Sequence, residues 1–129
     1  MSSFNKYPHV FSPIKIGGME VKNRVQFSPM VSSLSTPTGG VSPELLGYIK
    51  YQAQSGVGVI TIGSTPIDHI NGVDFFGALD VTSDDNMTDL RRISEVVHRY
   101  GAKVSCELVH AGRSAPKQFR PCLLYTSDA

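Results

Sequence analysis

Residues 57–62, VGVITI, form a short unbroken run of apolar and β-branched side chains directly after Gly56. A run this short favours a strand over a helix. With almost no polar position to face water, it is expected to be buried on both faces and to end at Gly63 and Ser64. Strands covered on both faces belong to parallel sheets, whose crossover connections lay helices over them. The flanks agree. Upstream, Ser42 is a fitting N-cap, Pro43 suits the first helical position, and Glu44 favours the positive end of the helix dipole. Leu45, Leu46, Ile49 and Ala53 follow at helical spacing, which predicts a helix over Pro43–Ser55.

Downstream, residues 65–82 form a long connection holding Pro66, Gly72 and Gly77. Ser83, Asp84 and Asp85 then offer caps for a second helix. Its Leu90, Ile93, Val97 and Tyr100 share one face. Arg91, Arg92, Glu95 and Arg99 fall largely on the solvent side. Gly101 ends it, and residues 103–109, KVSCELV, read as another strand.

Before this unit, residues 11–23 break at Gly17 and Gly18, which predicts a β-hairpin. Residues 23–30, NRVQFSPM, then predict a strand over Arg24–Ser28, stopped by Pro29, which has no N–H for a sheet ladder. On its residues alone this is a strand running into a loop. It is also a place where a rigid backbone, a hydroxyl and the Met30 thioether could meet a flat ligand. Residues 32–41, SSLSTPTGGV, are a loop.

The order is hairpin, strand, helix, strand, helix, strand. It predicts right-handed crossovers and a parallel sheet, as a doubly wound open sheet or a (β/α)8 barrel. No G-x-G-x-x-G follows the first strand, which weakens the dinucleotide-binding form. In a barrel the chemistry collects where strands end. Here those places are Ser28 to Met30, Gly63 with Ser64, and Glu107 through Arg113.

The formal net charge of +1, with no basic run, gives no reason to expect nucleic acid or an anionic membrane as a partner. No apolar run is long enough to span a bilayer, and the N-terminus lacks the apolar centre of a signal peptide, so a cytoplasmic location is expected. Cys106 and Cys122 do not make a disulfide framework, and Cys106 is expected to be buried and inert. His9, His69, His98 and His110 lack metal-ligand spacing, so no metal site is expected.

Four stretches taken together resemble the Old Yellow Enzyme family of FMN-dependent oxidoreductases, in its ene-reductase and 2,4-dienoyl-CoA reductase or 2-enoate reductase branches. They are FSPIKIGGMEVKNRV at 11–25, FSPM at 27–30, GVGVITIGS at 56–64 and HAGR at 110–113. The resemblance implies the N-terminal part of a (β/α)8 TIM barrel with a preceding β-hairpin. It implies FMN as cofactor, NAD(P)H as electron donor, and a small-molecule alkene such as an enone or enoyl thioester as substrate. It places Ser28, Pro29, Met30 and Val31 along the flavin, and Gly63 where a missing Cβ admits the flavin's pyrimidine edge.

Glu107 stands where the family usually has a glutamine. An amide donates and accepts, whereas an ionised carboxylate only accepts. Glu107 could therefore accept from the flavin N3–H but would repel a reduced, anionic flavin, unless it is itself protonated. His110 and Arg113 could serve the site or simply hold loops. Ser33, near a family position for a substrate-facing tyrosine, receives no role.

A (β/α)8 barrel takes about 250 residues, and the family's catalytic His/Asn pair, proton-donating tyrosine and phosphate loops belong to later strands. Residues 1–118 are therefore expected to be an incomplete N-terminal part, inactive alone and without catalytic residues. Residues 119–129 are expected to be a tail of non-native sequence, because Cys122–Ala129 resembles translated sequencing-adapter sequence. Two other readings stay open. One is a different (β/α)8 enzyme, which a strand-end lysine would favour, although Lys103 is at the wrong end. The other is a small non-catalytic α/β module that binds a partner through its open edge.

Overall fold

The computed structural model describes residues 6–116. A helical turn, α1 (Pro8–Phe11), leads into an antiparallel hairpin of β1 (Ile14–Ile16) and β2 (Met19–Val21). Ile16 pairs with Met19, so Gly17 and Gly18 are the two-residue loop, and Gly17 takes φ 59, a conformation glycine adopts without a Cβ penalty.

Next come β3 (Gln26–Phe27), α2 (Pro43–Gln54), β4 (Val59–Pro66), a 3₁₀ turn (Asp84–Asn86), α3 (Met87–Arg99), β5 (Lys103–Val109) and a second 3₁₀ turn (Gly112–Ser114). Strands β3, β4 and β5 form one parallel sheet in that order. The α/β succession expected from the sequence is thus present.

Helix α2 begins as its residues require. The Ser42 hydroxyl accepts from the Leu45 amide at 2.9 Å and donates to the Leu34 carbonyl. Both long helices lie on one face of the sheet. Leu45, Ile49 and Ala53 of α2 and Ile93 and Val97 of α3 meet Ile60 and Ile62 of β4 there, and all are buried. Phe27 joins this side, its ring edge-on to Tyr48 with centroids 6.2 Å apart.

The hairpin sits under the N-terminal end of the sheet. Asn23 Nδ2 donates to the Gly56 carbonyl at 2.8 Å, and Lys22 Nζ to the Tyr100 carbonyl at 2.7 Å. Gly58 allows this approach: a Cβ there would lie 2.5 Å from the Asn23 carbonyl oxygen. Lys103 begins β5 at this same end, its amide donating to the Gly58 carbonyl at 2.8 Å.

Several expectations are corrected. The first parallel strand covers Gln26–Phe27 rather than Arg24–Ser28. Its neighbour does not end at Gly63 and Ser64 but runs to Pro66, because β5 continues to pair with it: Thr65 faces Leu108 and Pro66 faces Val109, beyond an irregularity after Ile62. Nor is this strand buried evenly on both faces. Ile60 and Ile62 are buried under the helices, while Val59 and Thr61 on the other face are half-buried.

Ser83 caps the 3₁₀ turn rather than the α-helix, accepting from the Asp85 amide at 3.3 Å, and α3 begins at Met87. Cys106 is exposed rather than buried. It lies on the helix-facing side of β5, but β5 is at the edge of the described sheet, so its groove with Ile62, Leu90 and Ile93 stays open on one side. Partial burial there pushes the Cys106 thiol pKa up, which disfavours the thiolate. Cys122 and the tail at 119–129 lie outside the described residues.

Candidate functional site at the strand ends

Parallel pairing brings the C-terminal ends of β3, β4 and β5 to one rim. Three of the site residues expected from the sequence meet near it: Pro29 in the turn after β3, Gly63 within β4 and Glu107 within β5. A Cβ on Gly63 would lie 2.6 Å from Pro29 Cβ and 2.7 Å from Glu107 Oε2. A Cβ essentially never comes within 3.0 Å of a non-bonded heavy atom, so the glycine is what allows Pro29 and the Glu107 carboxylate to close over this part of β4. This is a packing reason for Gly63 that stands independently of any ligand.

Met30 lines a small recess that also includes Phe27, Ser32, Tyr48 and Gly63. Ser28 and Val31 belong to the same turn, Ser28 exposed and Val31 half-buried. Next to Gly63, Ser64 Oγ is buried and has no hydrogen-bond partner among the described residues. Thr65 Oγ1, one residue further, donates to the Glu107 carbonyl at 2.7 Å and so holds β5 in place at this level.

Two residues before these positions, a polar row crosses the face opposite the helices. Gln26 Nε2 donates to Thr61 Oγ1 at 2.7 Å, and Thr61 Oγ1 lies 2.9 Å from Ser105 Oγ. The sequence reading missed this row. Side chains alternate along a strand. Gln26, Thr61 and Ser105 each stand two residues before Ser28, Gly63 and Glu107. Applying the alternation backwards from the strand ends would have found them.

The loops after β4 and β5 are clasped. Asp68 Oδ1 accepts from the amides of Ile70 and Asn71 at 2.8 and 3.0 Å. Asp68 Oδ2 lies 3.6 Å from His110 Nε2, and His110 Nδ1 accepts from the Gly112 amide at 3.1 Å. The Ala111 amide donates to the Gly72 carbonyl at 3.0 Å. Of the two roles open to His110, loop-holding is the one with visible contacts. Arg113 is exposed in the following 3₁₀ turn.

The amides of Asn71 and Ile70 favour the ionised form of Asp68 and lower its pKa from 3.8 to about 2, with His110 adding to the effect. The folded value lies below the unfolded one. The contribution of these bonds is therefore fully present above 3.8 and is lost as pH falls toward about 2. In an NMR titration of the carboxyl carbons, Asp68 is expected to titrate near that lower value. A midpoint at the ordinary aspartate value would show that the clasp does not hold in solution.

The loop after β3 is fixed as closely. The Ser35 amide donates to the Gly77 carbonyl at 3.3 Å, and the Asp80 amide to the Gly39 carbonyl at 2.9 Å. Ser33 takes φ 54 against Gly77, where a Cβ would lie 2.7 Å from the Ser33 carbonyl oxygen. No group of three His, Cys, Asp or Glu side chains suited to a metal ion occurs among the described residues. No helix among them is long and apolar enough to cross a membrane.

A parallel sheet with helices on one face, a polar row on the other and its strand ends gathered on one rim is the beginning of an α/β barrel that carries its site at the strand ends. The chain belongs to the NADH:flavin oxidoreductase / NADH oxidase family, whose model matches residues 9–128. It is 34% identical over 107 residues to the NADH oxidase of Thermoanaerobacter brockii, a match covering 83% of this chain and 16% of that protein. It is 31% identical over 107 residues to the NADPH dehydrogenase of Halalkalibacterium halodurans, covering 82% of this chain and 31% of that one.

Among solved structures, the Old Yellow Enzyme from Pichia sp. AKU4542 superposes with a TM-score of 0.76 at 27% identity, over 83% of this chain and 28% of that chain. A 2-naphthoyl-CoA reductase complex superposes with a TM-score of 0.81 at 24% identity, over 85% and 17%. The fold is therefore the N-terminal part of a (β/α)8 barrel with a preceding hairpin. The chain spans less than a third of the length of these relatives.

Proposed function

We propose that this chain forms the flavin-facing first part of an FMN-dependent oxidoreductase. That enzyme takes hydride from NAD(P)H and passes it to the activated double bond of an enone or enoyl thioester. In this reading residues 1–118 are the N-terminal part of the barrel. Ser28, Pro29, Met30 and Val31 lie along the flavin, and Gly63 and Glu107 stand at its pyrimidine edge.

One observation carries the reading. Pro29 from the turn after β3, Gly63 of β4 and Glu107 of β5 meet at one point. The donor set suits one edge of a flat heterocycle. It offers the Glu107 carboxylate as an acceptor and the exposed Ser28 hydroxyl. Bound FMN supplies the hydride relay. The residues here orient it and shape the field at one of its edges.

The test uses the protein that carries this segment, reconstituted with FMN. It is expected to oxidise NAD(P)H in the presence of 2-cyclohexenone or a crotonyl thioester without oxygen. Failure to retain FMN overturns the cofactor assignment, and FMN binding with no alkene reduced overturns the substrate class. The 129-residue chain alone is expected to leave FMN fluorescence unchanged. Micromolar binding by it would show that three strands suffice.

A further inference from the structure

We propose that Glu107 biases this site toward oxidised flavin, making FMN bound here harder to reduce than it would be with a neutral residue at the same position. The inference rests on the cofactor reading above.

Its basis is where the carboxylate lies and what surrounds it. Glu107 Oε2 lies over Gly63 beside the ring of Pro29, in an exposed side chain, and both neighbours are uncharged. The ion-pair contacts among the described residues are Arg92 with Asp89 and His110 with Asp68, so none neutralises Glu107. The nearest polar row, Gln26, Thr61 and Ser105, consists of neutral groups.

Hydride transfer from NAD(P)H adds one proton and two electrons to bound FMN and leaves NAD(P)⁺. The flavin then carries one more negative charge than before. A carboxylate accepts hydrogen bonds and donates none, so it can satisfy an N–H of the oxidised ring but only repels the added charge. The repulsion acts on one redox state and not on the other, so it changes their ratio rather than overall binding.

The experiment measures the two-electron potential of the FMN-loaded holoenzyme and its dissociation constant for oxidised FMN, in wild type and in Glu107→Gln. The expected result is about tenfold tighter binding of the reduced form relative to the oxidised form in the variant. For a two-electron couple that is a potential about 30 mV more positive. Glu107→Ala removes the charge without adding an amide and should shift the potential the same way, which keeps the test decisive if the glutamine variant does not fold. An unchanged or more negative potential in a variant that still binds oxidised FMN overturns the inference and leaves the cofactor reading standing. A wild-type protein that does not bind oxidised FMN overturns both.

Discussion

Gly63→Ala is expected to destabilise the fold by about 1–3 kcal/mol, the usual range for forcing extra volume into a packed site. The new methyl group would stand 2.6 Å from Pro29 Cβ, 2.7 Å from Glu107 Oε2 and 3.1 Å from Pro29 Cα. The three neighbours differ in how far they can yield. Glu107 presents the far end of a flexible side chain, so its carboxylate can swing away. Pro29 presents a closed ring joined to the backbone, so relief there must move the turn after β3.

The substitution is therefore expected to do two things together. It lowers the urea midpoint, and it moves Glu107 off the rim. If the proposed function holds, it also weakens FMN binding in the holoenzyme. Gly47→Ala is the matched control. Gly47 lies in α2 with nothing within 4 Å of a built Cβ, so alanine there should be neutral or stabilising by up to about 1 kcal/mol. Equal stability of Gly63→Ala and wild type would mean that Pro29 and Glu107 do not pack over β4 as described.

The sequence was most informative where the deciding interactions are local. Helix α2 was legible almost to the residue because its signals lie within one turn of its start: the Ser42 cap, Pro43 and Glu44. The hairpin was equally plain from Gly17 and Gly18. The errors arose where a distant partner decides the outcome. Gly63, Ser64 and Thr65 look like the start of a loop, yet β4 continues through them because β5 supplies partners for Thr65 and Pro66 more than forty positions away.

Ser83, Asp84 and Asp85 all look like caps, and local sequence does not say which turn geometry follows. Here Ser83 bonds two residues ahead and a 3₁₀ turn forms first. Cys106 shows a different limit. Alternation along β5 puts it on the opposite face from Glu107, but facing the helix layer is not the same as being covered by it, and β5 is an edge of the described sheet.

The candidate site was legible as three places where apolar strands give way to small and polar residues, which in a barrel lie on one rim. That Pro29, Gly63 and Glu107 meet within contact was not legible, since it depends on the register between strands. Nor was the clasp of Asp68 to His110, which joins two loops that the sequence separates by a whole helix.

The two faces of the sheet should also respond very differently to truncation, and β4 allows the comparison at adjacent positions. Ile60→Ala is expected to cost about 2–5 kcal/mol, the range for emptying a buried aliphatic site. Ile60 is 1% exposed and sits in the cluster formed with Ile49, Ile93 and Val97, so few neighbours are free to collapse into the space. Thr61→Val keeps the side-chain volume and removes the hydroxyl that accepts from Gln26 and bonds Ser105. Because that row is half-exposed and its partners can turn to water, the expected loss is only about 1 kcal/mol.

Urea unfolding of the two variants measures the difference directly. With typical domain stabilities of about 5–15 kcal/mol, the isoleucine change alone could leave the chain largely unfolded, and the threonine change should not. If Ile60→Ala costs no more than Thr61→Val, the core does not lie between β4 and the two helices. The opposite face would then be the covered one, and the polar row and the rim above it could not be an open site.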